Sequence, residues 1–375
     1  MMDAAPSELT QDVKGKNKQA GVERLHQWRI LLAFSTLSCA SSVELSGPLL
    51  TASTEPTVIG NISERVSALV VDDQRLYWMG TDGDAPVGRK VSLQSCLKEH
   101  CVGSLVTYAA SGVNESARFG VENGEIYWTD QASQWNACDV TGCTGEPRHF
   151  GFGTPAPDAT AFTSEELFVC ARGDGLWRVP LSGDAAATKL DVPDTFGCSS
   201  VTAYGGYVYW TVGRGLSNIQ RWRTDGSGSV EVFAKDLELR SAWDDDTRNF
   251  PSNLVVGDRY VYWSQGGLRG SIARCPVTGC VGAPEPFAGL IRSPGTLLLT
   301  TAELYWQHST NTRGIAVSRC ALAECMVSEP IAQGVDAANV LAADDNYLYT
   351  ATTSQPLSPD VVWSNPVAQI RRIPR

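Results

Sequence analysis

The sequence is short of histidine, with four in 375 residues, and short of basic charge, with 30 Lys and Arg against 41 Asp and Glu. The net charge of −11, without a local basic patch, argues against a nucleic-acid backbone as partner. No apolar run approaches the roughly 20 residues that span a bilayer as a helix. No P-loop, dinucleotide fingerprint, HExxH or GxSxG stands where it would carry meaning. No cofactor and no resident metal is therefore expected. The 3.6-residue apolar period of a helical repeat is missing too.

What is present begins at the N-terminus. Residues 1–21 are polar and read as disordered or as an over-extended start. From Glu23 to Ser42 the chain reads ERLHQWRILLAFSTLSCASS. Arg24 and Arg29 form a basic flank, Ile30–Leu37 a short apolar core, and Ser38, Cys39 and Ala40 are small. That is the layout of a secretory signal peptide, with a short buried helix as the alternative. Cys39 closes the apolar segment as the acylated cysteine of a bacterial lipoprotein does, although Thr36 stands where a lipobox usually has Leu. Lipidation of Cys39 and ordinary cleavage both remain open. The expected division is a leader plus signal or lipoprotein segment at 1–39, a linker at 40–54 and one domain at 55–375. The expected place is the bacterial cell envelope, secreted or lipid-anchored, with membrane contact only through Cys39.

Internal repetition decides the fold. An aromatic marker recurs after an apolar run and a turn, at Tyr77, Tyr127, Phe168, Tyr209, Tyr262, Tyr305 and Tyr349. Turn formers such as Asp72-Asp73, Asn123-Gly124, Gly205-Gly206 and Gly257-Asp258 join the first two strands of a unit. A third strand follows in SIARC, AVSRC, IQRWR and LWRVP, and a fourth in PEPFAG and SEPIAQ. Four strands at a period in the low forties make one β-propeller blade. The last unit ends after three strands, and Glu55–Ile59 resembles the missing fourth. The expected fold is all-β: a seven-bladed propeller of four-stranded antiparallel blades, closed by the N-terminal strand. A six-bladed ring would leave one unit unexplained.

The YW markers, with YWTD itself at Tyr127–Asp130, resemble YWTD and TolB-like propeller repeats over about residues 55–375. The cysteine decoration resembles that of secreted propellers of myxobacteria-like bacteria. YWTD domains typically have six blades, and only one repeat here carries the full tetrad. The resemblance implies an architecture, not a chemistry, because propellers serve as receptors, lyases, hydrolases and scaffolds.

Without Cys39 the chain has ten cysteines. Eight form pairs of one spacing: Cys96/Cys101, Cys138/Cys143, Cys275/Cys280 and Cys320/Cys325. An even count at repeated spacing favours disulfides in an oxidising compartment over zinc. Each pair would face across the hairpin between third and fourth strands. Cys170 and Cys198 would bridge adjacent blades. A thiol nucleophile there would need a base, and no His lies between His149 and His308. The repeated Tyr and Trp read as packing, one toward each neighbouring blade, which leaves a sugar-binding role only to irregular aromatics such as Trp135, Trp243 and Trp363, and of these Trp135 aligns with Ile272 and reads as a strand residue.

Loops that share one face of the channel mouth would carry a site. That face collects Asp82, Asp130, Arg172, Arg214, Asp244, Asp245, Asp246, Arg292 and His308. The insertion Asp236–Asn253 is the most unusual piece. Its three adjacent Asp do not match the alternation of a calcium loop and read as a solvated acidic loop. His308, expected in a face loop, is the weak candidate for a general base. No two-His metal site is expected. The expected function is an exported binding or protein-interaction module, monomeric, taking an unknown protein, peptide or glycan. The alternatives are a lyase or hydrolase at the channel mouth and a structural envelope component.

Overall fold

The computed structural model describes residues 57–62, 65–81, 91–109, 113, 118–171, 173–192, 198, 200–212, 216–238, 253–265, 270–310, 315–325, 328–335, 341–353 and 368–375. The chain divides between Leu50 and Thr51, and every described residue belongs to the second unit. The expectations for 1–39, 40–54 and Cys39 lie outside the described residues.

The strands run in order. β1 (Thr57–Ile62) comes first. Blade 1 is β2 (Arg65–Val71), β3 (Arg75–Thr81), β4 (Val91–Leu97) and β5 (Val106–Ala109). Blade 2 is β6 (Phe119–Glu122), β7 (Glu125–Thr129), β8 (Trp135–Asp139) and β9 (Arg148–Phe150). Blade 3 is β10 (Ala159–Phe162), β11 (Glu166–Ala171), β12 (Gly175–Pro180) and β13 (Thr188–Lys189). Blade 4 is β14 (Val201–Tyr204), β15 (Tyr207–Val212), β16 (Leu216–Arg223) and β17 (Glu231–Glu238). Blade 5 is β18 (Leu254–Val256), β19 (Tyr260–Gln265), β20 (Gly270–Pro276) and β21 (Glu285–Ile291). Blade 6 is β22 (Leu297–Leu299), β23 (Glu303–Ser309), β24 (Ile315–Ala321) and β25 (Glu329–Val335). Blade 7 is β26 (Leu341–Ala343), β27 (Tyr347–Thr353) and β28 (Ala368–Pro374), completed by β1.

Seven four-stranded antiparallel sheets result, and β1 is the outer strand of the last. It pairs from Thr57 opposite Arg372 to Ile62 opposite Ala368. A blade cannot bury both faces alone, so the ring closes by stacking each sheet on the next. The sequence supplies the wedge. Side chains alternate along a strand, so Tyr and Trp of one YW pair leave opposite faces. Tyr77 packs with Phe119, Ile126 and Trp128 of blade 2, while Trp78 packs with Leu341, Leu348 and Tyr349 of blade 7. Tyr209 meets Trp263, and Tyr262 meets Trp306, in the same sense. These rings are almost wholly buried. Trp135 is one of them, a β8 strand residue as its alignment with Ile272 predicts, packed in the interface of blades 2 and 3.

Turn chemistry fixes the register on one face of the ring. Asn123 and Gly124 both take positive φ, 52° and 77°, as a two-residue hairpin of this hand requires. Elsewhere an acid replaces the glycine pair: Asp72 Oδ1 accepts from the amides of Gln74 and Arg75, and Asp344 Oδ1 from those of Asn346 and Tyr347. The same face carries the four short-range cystines. Their Cα separations are 4.7 Å for Cys96–Cys101, 5.2 Å for Cys138–Cys143, 5.1 Å for Cys275–Cys280 and 5.4 Å for Cys320–Cys325.

All four expected pairings are present, but the second cysteine of each does not sit on a fourth strand. Cys320 belongs to β24, whereas Cys325 lies in the connection ahead of β25, which starts at Glu329. Register is the reason. The outermost rung of that ladder sets Arg319 against Glu329, so Cys320 already stands beyond the rungs and its bridge to Cys325 closes the turn itself. Cys101, Cys143 and Cys280 likewise precede β5, β9 and β21. Cys170–Cys198 is the fifth bridge, 6.1 Å between Cα atoms, and it ties blade 3 to blade 4. Cys198 lies three residues ahead of β14, slightly earlier than the strand start expected for it.

Candidate functional site

The strands point the loops of the expected site to the face opposite the tight turns. Asp82, Arg172, Arg214, Asp244, Asp245 and Asp246 lie outside the described residues, as do Trp243 and Trp363. The insertion starts later than expected, because β17 runs to Glu238 and takes up its first three residues. Asp130 ends the β7 hairpin, where Oδ1 accepts from the amides of Ala132 and Gln134 at 2.8 and 2.9 Å. Arg292 follows β21 and is half-buried, with its carbonyl accepting from Ser309 N.

His308 is not in a loop. It is the penultimate residue of β23, opposite Ala316 on β24. The reason is register: the antiparallel pairing that sets Trp306 against Ser318 continues to Ser309, past the residue where the loop was expected. Its Nε2 lies 2.9 Å from Ser318 Oγ and its Nδ1 3.3 Å from Ser309 O. Neither contact is a carboxylate that would orient an imidazole as a base. His149 likewise belongs to a strand, β9, opposite Asn136. Among the described residues no group of three His, Cys, Asp or Glu could hold a metal ion.

The turn face holds a feature that the sequence reading missed. Arg178, Arg221, Arg274, Arg319 and Arg372 each stand directly opposite the marker aromatic of their blade. In blades 1 and 2, Arg75 and Arg148 supply the cation from other strands. Six of the arginines have an acid among the described residues: Glu125 for Arg148 at 2.8 Å, Glu166 for Arg178, Glu231 for Arg221 at 2.8 Å, Glu285 for Arg274 at 3.2 Å, Glu329 for Arg319 at 3.0 Å and Glu99 for Arg372 at 3.4 Å. Three of them also donate to the next blade: Arg148 to Leu181 O, Arg221 to Val277 O and Arg274 to Leu322 O. The ring therefore sews neighbouring blades together under the hydroxyls of the marker tyrosines. Burial, with the acid Asp72, Glu125, Glu303 or Asp344 as acceptor, pushes the phenols of Tyr77, Tyr127, Tyr305 and Tyr349 up, so they stay donors. The signal was present as the Arg repeated in SIARC, AVSRC, IQRWR and LWRVP.

Two concavities formed by described residues open on this face. One, of about 600 Å3 between blades 2 and 3, is lined by Glu125, Arg148 and Glu166, whose charges are already paired. The other, of about 570 Å3, crosses blades 5 to 7. It exists because the blade 6 turn is small, Thr300-Thr301-Ala302, between the bulkier turns at Asp258-Arg259 and Asp344-Asp345. Leu299 floors it, and a Cβ on Gly257 would stand 2.7 Å from Leu299 Cδ2. Tyr204 donates its hydroxyl to Asp258, and Arg274 stacks on Tyr260 at 4.3 Å. Burial alone would raise the Asp344 carboxyl, but Lys98, Tyr349 and two backbone amides outweigh it and hold it at about 2. The groove thus combines tyrosine, carboxylate, Arg259 and threonine hydroxyls over an apolar floor, a lining suited to binding. It lies at the other end of blade 6 from His308.

No family model and no curated protein sequence matches the chain. Among solved structures the chain is similar to a puromycin-hydrolyzing peptidase of Mycobacterium tuberculosis, at a TM-score of 0.55 and 12% identity. The likeness covers 83% of this chain and 51% of that one, so the chain spans about half the length of the peptidase. At that identity the shared property is the fold, a propeller.

Proposed function

We propose that the protein is an exported binding module of the bacterial cell envelope, secreted or anchored through a lipid on Cys39, and monomeric. Its ligand is a protein, peptide or glycan. The observation that carries this reading is the groove across blades 5 to 7, a concave, mixed-polarity surface built on a ring whose blades are pinned by five disulfides. Disulfides at this density support an oxidising compartment. The test uses an immobilised panel of peptides and glycans with wild type and Thr301→Trp. Thr301 is exposed, so the indole fills the groove without entering the core. Binding that disappears in T301W supports the groove, and binding unaffected by it rejects the groove as the site. Cell labelling with an alkyne-tagged fatty acid, compared with Cys39→Ala, tests the anchor.

A second reading, a hydrolase, is favoured by the likeness to a peptidase. The assay is direct: incubation with puromycin and detection of the released amino acid. Turnover that tracks the purified chain would move the assignment from binding module to hydrolase.

A further inference from the structure

The backbone of the groove across blades 5 to 7 is largely in use. In each of its three turns an amide bonds back across the hairpin: Gly257 N to Tyr260 O, Thr300 N to Glu303 O and Asp344 N to Tyr347 O. A carbonyl of each turn is taken as well, Arg259 O by Val277 N, Ala302 O by Leu322 N and Asn346 O by Arg375 N. In the last turn Asp344 Oδ1 also holds the amides of Asn346 and Tyr347. An extended peptide docks on a fold chiefly through main-chain hydrogen bonds, and these groups already have partners.

The charges of the groove cancel, although the chain as a whole carries −11. Asp258, Asp344 and Asp345 stand against Arg259, Arg375 and Lys98, the last paired with Asp344 at 2.7 Å. A strongly charged ligand therefore finds no net field to steer it. What stays open suits hydroxyls. Asp258 gives Oδ1 to the Tyr204 hydroxyl and keeps Oδ2. Among the described residues Asp345 has no partner, and Arg259 has only the Tyr260 ring, 5.7 Å away. A carboxylate only accepts and a guanidinium only donates, so side by side they serve a group that does both. Tyr204, outside the YW register, is 42% exposed. Its hydroxyl bond to Asp258 joins blade 4 to blade 5 and fixes the ring, which offers an apolar face with a polar tip.

Taking the groove as the binding site, we propose that its ligand is a neutral oligosaccharide. One pyranose stacks its C–H face on Tyr204 and shares its hydroxyls between Asp258 Oδ2 and Arg259. Asp345, on blade 7, accepts from the hydroxyls of a further unit. At about 570 Å3 the groove has the size of a small-ligand site.

The test titrates neutral hexasaccharides of glucose, mannose, galactose and N-acetylglucosamine into the full chain, followed by ligand-observed NMR. The uronic-acid and amino-sugar counterparts are the charged comparisons, and the peptide panel is the rival occupant. The expected result is binding of at least one neutral series, changed by less than about twofold between low and high salt. Its charged counterparts should bind at least about tenfold more weakly. Tyr204→Ala should weaken binding at least about tenfold, and Tyr204→Phe, which keeps the stacking face, by less than about threefold. Arg259 is exposed, so Arg259→Ala leaves the core intact and should weaken binding at least about fivefold at an unchanged urea midpoint. Full binding by a folded Y204A or R259A, or binding that collapses in high salt, overturns the proposal. If peptides bind and T301W expels them while no neutral saccharide binds, the saccharide is wrong and the groove remains the site. If a saccharide binds wild type, Y204A and T301W equally, or neither class binds at all, the groove falls with it.

Discussion

Asp344 shows how one side chain can close the junction between first and last blades. Its carboxylate receives Lys98 of blade 1 at 2.7 Å and the Tyr349 hydroxyl at 2.8 Å. The folded carboxyl titrates at about 2, and an unfolded aspartate at about 3.9. As pH falls, the unfolded chain takes up the proton first, so this stabilisation is complete above about pH 4 and drains away toward pH 2. Asp344→Asn should lower stability at pH 7 by about 1–2 kcal/mol, a figure reduced for partial solvent screening. The variant should also show a flatter stability profile between about pH 4 and 2 than wild type, by urea titration at each pH. An acid limb of unchanged slope would show that Asp344 is not the group responsible. Leu290 is a different case. It has a φ of 59° and is 87% exposed, where the matching residue of EPIAQGV in blade 6 is Gly334. Leu290→Gly removes about 1–2 kcal/mol of backbone strain and adds about 0.5–1 kcal/mol of chain entropy. We expect a net gain of about 0.5–1 kcal/mol at unchanged denaturant slope. A lower urea midpoint for L290G would contradict this account.

At the scale of elements, the bridges differ in what they restrain. Each short-range cystine joins residues 5 apart in sequence, and Cys170–Cys198 joins residues 28 apart. On the chain-entropy model this means about 2 kcal/mol for a short bridge and about 3–4 kcal/mol for the inter-blade bridge. The pair Cys170→Ala with Cys198→Ala should therefore cost more in guanidinium unfolding than Cys138→Ala with Cys143→Ala. The reverse order would mean that the short bridges hold the blades and the long one is incidental. The second strands and their YW pairs were legible in the sequence because aromatic spacing and strand alternation are local signals. The closure by β1 was legible because Glu55–Ile59 copies the Glu-Pro start of β21 and β25. The cystine pairing was legible from its spacing, but the place of Cys325 ahead of β25 was not, because the outermost rung depends on how two strands meet. His308 was misplaced for a related reason: the length of a strand is set by its partner, and β24 holds β23 in register to Ser309. The arginine ring escaped notice because its partners lie on other strands and other blades. The groove, too, depends on three turns distant in sequence, and only the small size of Thr300-Thr301-Ala302 could have hinted at it.

For the whole molecule, closure is the decisive property. Removal of residues 1–62 takes away β1 and leaves blade 7 with three strands, while removal of 1–54 leaves β1 in place. The shorter truncation should keep the wild-type unfolding profile. The longer one should unfold at lower denaturant and lose hydrogen-exchange protection in β28 and β2 together, since the strand that joins those blades is gone. Protection lost in β28 alone would indicate that blade 1 closes the ring without it.

The pairing of Thr57 with Arg372 also sets how the ring responds to load. The two strands run antiparallel from that point, with the incoming and outgoing chain ends side by side. Tension applied between those ends would part the β1–β28 ladder like a zipper, one rung at a time from Thr57 toward Ile62, instead of shearing all the rungs at once. The remaining six blades hold no such seam, because each is a continuous stretch of chain. Under an optical trap gripping residues 57 and 375, the first yield should thus be small and low in force, the release of a single strand, well before the stacked body gives way.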